Sequence, residues 1–91
     1  LFFMLDILKV EDVIFDSLIE HLNLEQIELD NYELDAENKT YYIEFNICLP
    51  EYISYESSQI FENDIANNLN YLMDDGKGYN IDLNLRWIVK H

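Results

Sequence analysis

The sequence predicts a small α+β domain in the order α-β-β-α-β, a three-stranded sheet with two helices packed on one face. Three observations predict it. Thr40 to Leu49, TYYIEFNICL, sets Tyr41, Ile43, Phe45, Ile47 and Leu49 against Tyr42, Glu44, Asn46 and Cys48, which is the two-residue period of a half-buried strand. Tyr79 to Val89 repeats the pattern, with Tyr79, Ile81, Leu83, Leu85, Trp87 and Val89 on one side and Asn80, Asp82, Asn84 and Arg86 on the other. Two further stretches space their apolar residues by three and four, as helices do. One-sided strands imply one covered sheet face, and a right-handed strand-helix-strand crossover puts both helices on it.

In chain order, Leu5 to Leu22 reads as the first helix, with Leu8, Phe15, Leu18, Ile19 and Leu22 as its inner stripe and Ile14 at the margin. Asp6 is a candidate cap, with a start near Lys9 or Val10 as the alternative. The outer face carries Glu11, Asp12, Asp16 and Glu20. Asp12, Asp16 and Glu20 sit four apart, where like charges destabilise a helix by roughly 0.2–0.5 kcal/mol per pair. A helix selected for stability alone would alternate signs there.

Leu24 to Leu34 reads as the first strand. Ile27 and Leu29 are in phase and Tyr32 and Leu34 one residue out, so a bulge is expected near Asp30 and Asn31. Asp35 to Lys39 is a polar turn that makes a hairpin with Thr40 to Leu49. Pro50 ends that strand, and Glu51 to Met73 reads as the second helix, capped by Ser54 or Ser57. Its stripe is Ile53, Ile60, Phe61, Ile65, Leu69, Leu72 and Met73. Asp74-Asp75-Gly76-Lys77-Gly78 holds both glycines and marks the turn into the last strand.

A chain of 91 residues supports one domain, 1–91, able to form a core without metal or disulfide staples. Met4 is a candidate natural start, which would leave Leu1 to Phe3 as upstream residues. Apolar residues make up 49%, with seven Tyr, five Phe and one Trp, too hydrophobic for a disordered acidic tail. Cys48 is the lone cysteine and has no internal partner. No run reaches the ~18 apolar residues of a membrane span, and Leu1 to Met4 is too short for a signal peptide. A reducing, cytoplasmic setting is therefore expected.

The sequence offers little for catalysis. Its histidines are His21 and His91; His21 suits the C-terminal turn of the first helix, where a partial positive charge meets the helix dipole. Cys48 lies on the strand face opposite the core stripe and reads as a small apolar filler. Carboxylates are too abundant for any acid pair to stand out. Asp74, Asp75 and Asp82 lack the ligand order of a calcium loop, and no zinc spacing or Gly-rich phosphate loop is present. No enzyme activity, metal or cofactor is expected.

Charge is the unusual feature: nineteen Asp and Glu against five Lys and Arg, a formal net charge of −14. About 2–8 suffices to keep a small domain soluble. Such a surface repels nucleic-acid phosphate and anionic lipid, so direct nucleic-acid or membrane binding is not expected, and a basic protein is the favoured partner. In size and charge, though in no motif, the chain resembles phage-encoded DNA-mimic inhibitors of restriction or CRISPR nucleases. That resemblance implies a non-enzymatic inhibitor occupying the nucleic-acid site of a basic nuclease or nucleic-acid-binding protein. The candidate partner-binding residues are Asp12, Asp16 and Glu20, then Glu28, Asp30, Glu33, Asp35 and Glu37, with Tyr32 as an interface anchor. An immunity protein against a basic toxin enzyme is an alternative with the same electrostatics. A second alternative is an assembly module that forms a homodimer through the open sheet face, where Tyr42, Cys48 and Ile88 make a modest apolar patch or are singly exposed hydrophobes.

Overall fold

The computed structural model describes residues 5–73 and 78–89, without the side chains of 71–73. The expected turn over Asp74, Asp75, Gly76 and Lys77, the inward roles of Leu72 and Met73, and the candidate start at Met4 lie outside the described residues. The elements follow the expected order: α1 (Ile7–Leu18), β1 (Gln26–Asp35), β2 (Thr40–Leu49), α2 (Tyr55–Met73) and β3 (Asn80–Val89). The sheet order is β1-β2-β3. β2 is antiparallel to β1 and parallel to β3, because a short turn joins the first pair and the α2 crossover the second.

β2 carries the core. Tyr41, Ile43, Phe45, Ile47 and Leu49 are all at most 2% exposed, which only a central strand under a helical layer achieves. Val10, Ile14 and Leu18 of α1, Ile65 and Leu69 of α2, and Leu85 of β3 join them in one cluster. Both helices thus bury side chains among the same odd-numbered β2 residues, and both lie on that face of the sheet. β1 is an edge strand, and its register shifts between Leu29 and Asn31, the bulge that the change of phase required. Across the bulge Ile27, Leu29, Tyr32 and Leu34 all stay opposite core-facing residues of β2.

α1 departs from the expected stripe. The buried line is Val10, Ile14 and Leu18, spaced by four, whereas Leu8, Phe15 and Ile19 are 65%, 44% and 44% exposed. The helix is apolar over more than half of its circumference, so two lines compete, and packing against α2 decides between them. Asp6 caps the start, its carboxylate accepting the Leu8 N–H at 3.0 Å. The helix closes at Leu18 rather than Leu22, with the His21 and Leu22 N–H groups both donating to the Leu18 carbonyl. Glu20 therefore lies in the turn beyond the helix.

α2 starts at Tyr55 rather than Glu51 because the side-chain acceptor is Ser54, whose Oγ takes the Ser57 N–H at 3.1 Å. Ile65 and Leu69 are buried as expected, with Phe61 half-buried, but Ile60 is 61% exposed. Polar bonds also hold the layers in place. Asn68 Nδ2 donates to Ser17 Oγ at 3.0 Å between the helices, and the Leu5 N–H donates to the buried Tyr41 hydroxyl at 3.3 Å, fixing the entry of α1 over β2. No helix among the described residues is long and apolar enough to cross a membrane.

Candidate functional site

The structure divides the expected acidic residues between two sides of the sheet. Asp12 and Asp16 are exposed on α1, about 6 Å apart along the axis as neighbours one turn apart. They face away from the buried line of Val10, Ile14 and Leu18. Glu28 and Glu33 pair with Asn46 and Tyr42 on the open sheet face. Exposed Asp30 sits at the bulge, and exposed Glu37 in the hairpin turn. The acids therefore bracket the β1 edge from above and below instead of forming one flat patch.

One of them serves the fold directly. Asp35 ends β1, and its carboxylate accepts the Asn38 backbone N–H at 3.1 Å and the Asn38 side-chain amide at 2.7 Å. These bonds, the backbone one foremost, hold its pKa below the ordinary carboxylate value. The turn ends at Lys39, whose φ of 51° is a left-handed conformation unusual for a lysine.

Tyr32 does not reach the open face. It is half-buried on the helix-covered side, its ring centroid 6.1 Å from that of Tyr41 and its hydroxyl aimed at the Leu5 carbonyl 3.5 Å away. Burial raises its pKa, and Tyr41 adds to the shift. The bulge is the cause of its position, since the extra residue turns Tyr32 inward. The proposed dimer patch also loses a member. Cys48 has 0% exposure, because on a central strand it lies between Gln26 and Ile88 of the neighbours. Ile88 is half-buried, and Tyr42 is 38% exposed.

The rest of the open face is polar. Glu44 meets Arg86 at 3.8 Å, the one ion pair joining two described residues. A shallow depression of about 370 Å³ is bordered by Asn31, Tyr42, Glu44, Asp82 and Asn84. The buried Oδ1 of Asn46 has no hydrogen-bond partner. His21 is exposed on the helix side, its ring 5.8 Å from Phe61, so the sheet stands between it and Cys48 and the two cannot act as a pair. No three His, Cys, Asp or Glu side chains among the described residues converge on a point that would hold a metal.

Two features escaped the sequence reading. From Val10 to Asn38, the stretch that builds α1 and β1, there are ten acidic residues and no Lys or Arg. Leu29 and Leu34, on the covered side of β1, are 45% and 44% exposed. The first is legible by counting along the chain; the second is not, because alternation marks which face a residue takes and not whether that face is covered.

No family model matches this chain, and no curated protein matches it. Among solved structures it is similar to the metal-bound C-terminal domain of the CzcD transporter from Thermotoga maritima, with 19% identity over 91% of this chain and 87% of that one and a TM-score of 0.48.

Proposed function

We propose that this chain is a non-enzymatic acidic inhibitor that binds a basic nucleic-acid-binding protein or nuclease and blocks its nucleic-acid site. One observation carries the reading: ten carboxylates and no cation between Val10 and Asn38. Folding does not call for that imbalance. Like charges at helical spacing cost stability, and Asp35 is the member of the set whose carboxylate is bonded into a turn. A groove of Lys and Arg that holds phosphates is the chemically matched partner, and the opposed fields would steer a fast encounter.

Affinity capture from the host lysate at low salt and at roughly 0.5 M salt tests this. The reading expects a basic nucleic-acid-binding protein at low salt, its loss at high salt, and its displacement by added duplex DNA or RNA. Capture that duplex does not compete with would remove the mimicry, and recovery of the chain alone at both salts would remove the inhibitor reading altogether.

A further inference from the structure

We infer that the shelf between α1 and β1 is the docking site for a basic amphipathic helix of the partner protein. The inference rests on the proposed function and gives it a place and a shape. Phe15 and Ser17 are two residues apart, about 200° around a helix, so they face opposite ways. Ser17 is bonded to Asn68 of α2, and α2 packs over β3 through Phe61, Glu62 and Trp87. Phe15 therefore looks away from α2, toward the β1 side.

Leu8 and Ile19 are seven residues before and four residues after Phe15, which places all three on one line. Below them, Leu29 and Leu34 pair with core-facing Phe45 and Tyr41, so they occupy the helix side of β1, yet both remain more than two-fifths exposed. The Leu5 carbonyl lies over Tyr32, but no described helix packs on β1 as closely as α2 packs on β3. The two helices leave one flank of the layer open, and the apolar residues there are of the kind that a third helix would cover.

Charge selects the occupant. Asp12 and Asp16 stand above the shelf, and Asp30 stands at the bulge of the strand below it; Lys9 and Lys39 are the nearest cations in sequence. A second copy of this chain would bring its own carboxylates against these. A helix with a leucine-like stripe and Lys or Arg on both flanks would bury the stripe and meet the carboxylates. From Leu8 to Ile19 the line runs about 16 Å, the length of about three helical turns.

The test is a two-dimensional ¹⁵N–¹H NMR titration of the whole chain with two synthetic peptides. Each is about four turns long and made only of Leu and Lys, one with its leucines at spacings of three and four and one scrambled. The inference expects shifts confined to amides of α1 and β1, and binding of the patterned peptide about tenfold tighter than that of the scrambled one. The Phe15→Ser, Leu29→Ser double variant, whose charge is unchanged, should lose about tenfold in affinity; if it fails to fold by circular dichroism, Leu8→Ser replaces it. Equal, salt-sensitive binding of both peptides across the whole acidic surface would overturn the shelf and leave the acidic binder standing. Binding of neither peptide would overturn both. A dimer that buries Phe15 would give the shelf to a second copy instead.

Discussion

The indole N–H of Trp87 donates to Glu62 Oε1 at 3.2 Å and so ties β3 to α2, the helix that leads into it. The other oxygen of Glu62 accepts from Gln59 Nε2 at 2.8 Å, and the Phe61 ring lies 6.3 Å from that of Trp87. One carboxylate is thus withdrawn from the acidic surface to fix the crossover. Glu62→Ala should destabilise the fold by about 1 kcal/mol, while Glu62→Gln, which keeps an acceptor, should cost less than half of that. Because Trp87 is the lone tryptophan, denaturant unfolding followed by its fluorescence reads both variants.

The two apolar lines of α1 give a direct test of packing. Ile14 has 0% exposure and Phe15 44%. Ile14→Ala should cost about 2–5 kcal/mol, as buried truncations do, while Phe15→Ala should stay within about 0.5 kcal/mol. Phe45→Ala, at the middle of β2, should cost about 3–5 kcal/mol. If Phe15→Ala proves as costly as Ile14→Ala, the rotation of α1 described above is wrong.

Asp35 and Tyr32 bound the stability from opposite ends of the pH scale. Asp35 has a lowered pKa in the fold, so its contribution is present above the ordinary carboxylate value and lost as pH falls through the lowered one. Asp35→Asn should remove part of the acid limb. Tyr32 has a raised pKa, so its contribution is present below the ordinary tyrosine value and lost as pH rises through the raised one. Tyr32→Phe should flatten the alkaline limb, as read by thermal melting across pH.

Self-repulsion should make this protein more stable in salt. At a net charge of −14, the melting temperature should rise between low and roughly 0.5 M sodium chloride as screening shortens the reach of the carboxylates. Asp12→Asn, Asp16→Asn, Glu20→Gln in one chain should keep the fold or stabilise it by a few tenths of a kcal/mol. Its binding to a basic partner should weaken. An unfolded triple variant would show that these side chains serve the fold and would withdraw them from the binding surface.

Much of the fold is legible along the chain because alternation is a strong and local signal. The ten residues Thr40–Leu49 form β2 within the stated bounds, and the phase change after Leu29 locates the bulge between Leu29 and Asn31. Helix ends are less legible. Their position depends on which polar side chain accepts the first free N–H groups, and Ser54 and Glu51 differ in this only once the backbone is in place. The inner line of α1 is least legible, since Leu8, Phe15 and Ile19 are as apolar as Val10, Ile14 and Leu18.

The sequence by itself determined the element order, the central place of β2, the bulge and the excess of acid, since each follows from residue type and spacing within a few neighbours. Tertiary structure alone decided which line of α1 is buried, that the Tyr32 hydroxyl meets the Leu5 carbonyl, that Cys48 is sealed between its neighbouring strands, and that Leu29 and Leu34 stay partly open. The physical reason is common to all four: burial depends on what packs against a residue from elsewhere in the chain, and a residue's own pattern records only the side on which it stands.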